Sequence, residues 1–403
     1  MNLVFSTKSM TSGFMLLAAF VLPYVSFEPA PVDFALLLAA MVFLAKGGRL
    51  SKLALFIALI YLGFYFVAGL SSLIKGQQND AKFIRYYFVE TFLIFTTVVS
   101  YSIFVAVPGL IERFLKYYCI GAVVSCFAVL VIYYVLPSYD GIYRDSARIR
   151  ITGFFKDPNV LGPYLIFPTL MLIFSPTRLN IKPIWRLGAI PLLIILVLTY
   201  SRASLGSFVV SALVLFLMRV VTGMSRNGFI LSIALGFLVV VLVPFQLDRI
   251  DSQLQGLENL QARMTLQSYD QSRFYDIKNA FVVGAGNLFG LGPASYETMF
   301  DALSPHNLFL AKLVDGGWIP ALTISWFMVY PTWIALKMFM ARRDELLLVL
   351  FCVFLAHSMM SMIINPHHWR HLLILCAITF AMSSARAALP QCQAATDRKA
   401  APS

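Results

Sequence analysis

Charge is scarce in this sequence. Aspartate, glutamate, lysine and arginine make up 12% of 403 residues, 60% are hydrophobic, and the mean hydropathy is +0.80. That balance excludes an ordinary soluble domain and describes an all-α chain of membrane-crossing helices. Apolar and polar residues do not alternate along the apolar runs, which argues against a transmembrane β-barrel. The five cysteines show neither zinc nor disulfide spacing: Cys119, Cys126, Cys352 and Cys376 lie in apolar runs and Cys392 in the C-terminal tail. There is no P-loop or Gly-x-Gly-x-x-Gly turn, so no nucleotide site is recognisable. There is no Asp-x-Asp pair, so a metal-chelating sugar-nucleotide transferase site has no support. The first apolar run follows Lys8 without a small-x-small cleavage site and reads as a retained anchor.

What is present is a series of apolar runs at 10–27, 31–45, 53–74, 83–106, 117–136, 158–175, 187–201, 203–219, 229–245, 317–337, 346–364 and 371–385. Twelve spans with both termini cytoplasmic put 17 basic and 4 acidic residues inside, against 14 and 15 outside. The net charge of +12 is thus a positive-inside signature and not a sign of nucleic-acid binding. The expected organisation is spans one to nine over 1–245, an outer helical region over 246–316, spans ten to twelve over 317–385, and a disordered cytoplasmic tail over 386–403.

One segment decides the count. Leu187 to Met218 carries a single charge, Arg202, over 32 residues. As one helix it would be roughly 48 Å long, against a hydrocarbon core of roughly 30 Å. Two short helices meeting at Arg202 fit better, because one long span would reverse every later segment and put Lys337, Arg342 and Arg343 outside. Arg202 is then either an interfacial anchor that snorkels or a functional cation held near the membrane surface.

Other polar clusters fall on the same outer face. In Arg148-Ile-Arg150-Ile-Thr-Gly153-Phe-Phe-Lys156-Asp157-Pro158-Asn159, Asp157 before a proline reads as a helix cap. Arg148, Arg150 and Lys156 suit either interfacial anchoring or an anionic ligand. A helix is expected from Leu254 to Ala280, broken afterwards by Gly284-Ala-Gly286 and Gly290-Leu-Gly292-Pro293. On it, Arg273 has Asp270 and Asp276 as possible ion-pair partners. His306, in Ser304-Pro305-His306-Asn307, stands at the mouth of a helix and is a candidate general base. His367 and His371 have a metal-binding spacing, but no acid or thiol lies nearby to complete a site. Arginines and a histidine without a metal suit a leaving pyrophosphate neutralised by guanidinium groups.

Taken together, Arg150-x-x-Gly153-x-Phe-x-Asp157-Pro158-Asn159-x-x-Gly162, Ser201-Arg202, Arg273 ahead of Gly290-x-Gly292, and His306-Asn307-x-x-Leu310 with Gly317 resemble the O-antigen ligase and O-antigen polymerase family of bacterial envelope glycosyltransferases. The resemblance spans about 148–371 and implies a twelve-span fold in the bacterial inner membrane, with its site facing the periplasm. It implies metal-independent, inverting transfer of a glycan from an undecaprenyl-pyrophosphate carrier, with no cofactor. The acceptor would be a hydroxyl on lipid A-core or on another carrier-linked glycan, as in lipopolysaccharide or exopolysaccharide synthesis. Under it, Arg202, Arg273 and Arg150 grip the pyrophosphate, His306 is the base, and Asn159, Asn307 and Asp157 support them. A polysaccharide or lipid transporter or flippase is the competing class; it would place charges inside several spans and break helices in paired halves.

Overall fold

The structure is a computed structural model that describes residues 7–74, 80–136, 143–144, 150–174, 176–224, 268–293, 295–300, 305–366 and 368–399, with the backbone alone at 7–8, 71–72, 74, 80–83, 177, 268–274 and 385–399. Among the described residues it is helical, with no strand beyond an isolated bridge between Arg144 and Ile151. Eight helices come first: α1 (Thr7–Val21), α2 (Pro31–Ala45), α3 (Lys52–Ile74), α4 (Asp80–Ala106), α5 (Leu110–Val135), α6 (Pro158–Phe174), α7 (Ala189–Leu198) and α8 (Arg202–Val221). After the gap come α9 (Ser268–Ala285), α10 (Ser295–Phe300), α11 (Leu308–Gly316), α12 (Trp318–Arg342), α13 (Glu345–Ser361) and α14 (Arg370–Lys399).

Each apolar run read from the sequence has its helix, except 229–245, which lies outside the described residues. Five helices are long and apolar enough to cross a membrane by length and composition, within α3, α4, α5, α8 and α12. The stretch from Leu187 to Met218 is broken as expected: α7 stops at Leu198 and α8 starts at Arg202. The break has a local cause, because Tyr200 sits at φ 47, a left-handed conformation that an α-helix cannot propagate. Helical backbone also runs through 386–399, where composition pointed to a disordered tail.

The connections sort into two ends. At one end, Val25 N–H donates to Phe154 O (2.9 Å), Ile151 N–H to Leu198 O (3.0 Å), and Arg370 Nε to Asp33 Oδ1 (2.6 Å). At the other, Arg178 bridges Glu112 (2.6 Å) and Asp344 (3.0 Å), and Arg219 pairs with Glu345 (2.7 Å). Successive helices therefore alternate in direction from α5 to α8 and from α12 to α14. One large core joins α1 to α8 and α12 to α14, with Leu308 of α11. A second, small core is built by α9, α10, α11 and the start of α12 around Ala280, Tyr296, Leu313 and Ala321. Gly317 adopts φ 82 and lies so close to the Leu288–Gly290 backbone that a Cβ would collide with it. Leu291 N–H donates to Val314 O (2.7 Å) and Gly292 N–H to Asp315 O (3.0 Å), so the glycine turn is clamped onto α11.

Candidate functional site

The break before Arg202 is held by a compact polar joint. Arg150 donates from Nε to the Thr199 carbonyl (2.9 Å) and from a terminal nitrogen to Asn159 Oδ1 (2.7 Å). Ser201 Oγ donates to the same Asn159 oxygen (3.2 Å) and accepts from Ser204 Oγ (2.9 Å). Ser201 is the N-cap residue of α8, yet its side chain makes no capping bond. The helix therefore presents its positive dipole end beside Arg202 without a side-chain cap there. Asp157 caps α6 as its place before proline suggests, accepting from Asn159 N–H (2.7 Å). Gly162 lies where α6 meets α8, and a Cβ there would strike the Ser204 side chain. Arg148, beside this joint in sequence, lies outside the described residues.

His306 and Asn307 reach the same end by a different route. Asn307 caps α11 by accepting from Leu310 N–H (3.0 Å), and its Nδ2 donates to Met362 O just beyond α13 (3.0 Å). Helices α8 and α13 are antiparallel neighbours, pinned by Arg219–Glu345 (2.7 Å) and by Ser211 Oγ donating to Cys352 O (2.9 Å). Continuing that register nine residues back from Ser211 reaches Arg202, and nine forward from Cys352 reaches Ser361. At about 1.5 Å per residue, Arg202 and Met362 lie at the same height, and His306 adjoins the residue bonded to Met362. His306 is half-buried.

Arg273 is on α9, which packs against α11, but its side chain lies outside the described atoms, as does most of the helix expected from Leu254. The structure thus joins Arg150, Asn159, Asp157 and the Ser201–Arg202 turn by direct bonds. It sets His306–Asn307 at their level through α13, and Arg273 on a helix packed against α11. Glu28 lies at this end between Arg85 (2.9 Å) and Lys156 (3.2 Å). Partial burial would raise its carboxyl, but the Arg85 hydrogen bond and the Lys156 charge outweigh that and lower its pKa.

Two buried polar clusters lie within the bundle. His371 turns into the bundle, Nε2 to Nε2 at 3.4 Å from His357, with Trp369 stacked on it; His367 lies outside the described residues. No group of three or more potential metal ligands forms among the described residues. The second cluster is ionic. Lys312 of α11 is 0% exposed, with Nζ 3.1 Å from Glu90 Oε1 on α4 and 5.0 Å from the Tyr65 ring. Glu90 Oε1 also accepts from Tyr61 Oη (2.5 Å). The available signal was the one charge in the apolar run Leu308 to Val314.

Residues 187–325 match the family model described as O-antigen ligase. This third of the chain contains Arg202, Arg273 and His306, and the match bears out the resemblance drawn from the motifs. No curated protein matches the chain.

Proposed function

From an O-antigen ligase match over 187–325 as premise, we propose that the protein is an inner-membrane glycosyltransferase taking its glycan from an undecaprenyl-pyrophosphate carrier at the periplasmic face. The acceptor hydroxyl attacks the anomeric carbon as the bond to the pyrophosphate oxygen breaks. The carrier pyrophosphate departs, and the hydroxyl proton passes to His306. Attack from the face opposite the leaving group inverts the anomeric centre. Arg202 and Arg273 neutralise the charge that grows on the pyrophosphate, so no metal is needed.

The observation that carries this reading is the shared height of Arg202, at the start of α8, and His306–Asn307, fixed by the α8–α13 register. A cation beside a helix N-terminus is a ready anion site, and the half-buried histidine lies at the same level. An apolar groove of about 350 Å³ between α3, α4, α12 and α14 suits a lipid-linked substrate. Arg150 in this reading stiffens the turn that presents Arg202 and touches the pyrophosphate less directly.

Purified protein given a carrier-linked oligosaccharide should transfer glycan in the presence of EDTA. Arg202→Ala and His306→Ala should each lower the rate by two or more orders of magnitude, as loss of a charge-stabilising group or a general base does. Full activity in both variants, at normal expression, would end this reading. Offering lipid A-core and carrier-linked glycan as rival acceptors in one reaction separates ligation from polymerisation by product.

A further inference from the structure

Lys312 stands in a place where lysine is rarely found. It is fully buried on α11, six residues beyond His306, where α11 packs against α3. Its Nζ lies 3.1 Å from Glu90 Oε1 but makes no aligned hydrogen bond to any partner. Glu90 is itself buried on α4 and is bonded to Tyr61 on α3, and the Lys312 ammonium sits over Tyr65 of the same helix. One ion pair therefore ties three elements together, two from the membrane bundle and one leading from His306. Hydrophobic contacts alone would hold α11 against α3 without fixing its height. A buried charge pair does fix it, because sliding by one turn would strand both charges.

We propose that Lys312 and Glu90 are positioning residues that set α11, and with it His306, at the level of Arg202. This rests on the transferase reading for its consequence, though the anchoring itself does not.

The test uses the full-length protein in detergent or nanodiscs, with Lys312→Met, Glu90→Gln and the double variant. Two readouts are taken: amide hydrogen exchange over 305–316, and kcat against KM for transfer. Each single neutralisation should speed exchange in 305–316 about tenfold or more and lower kcat with little change in KM. The double variant should recover most of both, since no unpaired charge remains. Singles with wild-type exchange, or a double no better than the singles, would overturn the proposal. If exchange behaves as described while no protein transfers glycan, the anchor stands and the transferase reading falls.

Discussion

Arg150 donates to the Thr199 carbonyl and to Asn159, and so turns a sequence motif into a mechanical joint. Its charge is partly buried, and Asn159 Oδ1 accepts from it and from Ser201 together. Asn159→Leu should therefore destabilise the protein by about 1–3 kcal/mol, the cost of leaving buried donors unmet. Thermal unfolding in detergent would show it, and an unchanged midpoint would mean that the joint is immaterial. The sequence disclosed the residues of this joint, because Asp157-Pro158-Asn159 is a cap by local chemistry. It did not disclose that Arg150 is spent on the Thr199 turn, since 49 residues separate the partners. Lys312 was hidden for the same reason: its partner Glu90 lies 222 residues earlier, and only the packing of α11 on α3 and α4 brings the two together.

At the level of elements, α7 has 10 residues and α8 has 20, of which only α8 is long enough to cross a membrane, and their meeting point is the turn at Tyr200. The crossing of α6 over α8 depends on Gly162, where a side chain would strike Ser204. Gly162→Val should force α6 off α8 at a cost of about 1–3 kcal/mol for overpacking, and should lower transfer by displacing Ser201 and Arg202. Second-site replacement of Ser204 by alanine should recover part of the loss, which a measurement of both folded yield and rate would reveal. Helix existence was legible from hydropathy in the apolar runs, but Ser295–Phe300 was not foreseen. Helix ends were less so: α5 starts at Leu110, taking in Glu112, Arg113 and Lys116, because charged residues in a first turn are compatible with a helix that protrudes from the apolar layer.

Across the whole molecule, the grouping of connections into two ends agrees with the distribution of basic residues along the sequence. The end carrying Arg178, Arg219 and Arg343 opposes the end carrying Glu28, Asp33, Asn307 and Arg202. With the basic end cytoplasmic, Ser26→Cys should react in intact cells with a membrane-impermeant maleimide, and Lys46→Cys only after lysis. Labelling in the reverse order would invert the topology and move the Arg202 end away from any periplasmic carrier.

Composition and hydropathy determined the helical membrane character and the break at Arg202, and the motifs carried the resemblance to the O-antigen ligase family, because these depend on transfer free energy and on residues close in sequence. Burial of long apolar runs needs no knowledge of their neighbours. The tertiary structure alone decided which helices touch: the α8–α13 register that levels Arg202 with Met362, the clasp of Asn307, and the Lys312–Glu90 anchor. Those facts arise from side chains far apart in sequence that satisfy one another only once the helices have packed, since a buried charge or amide must find its partner inside the protein.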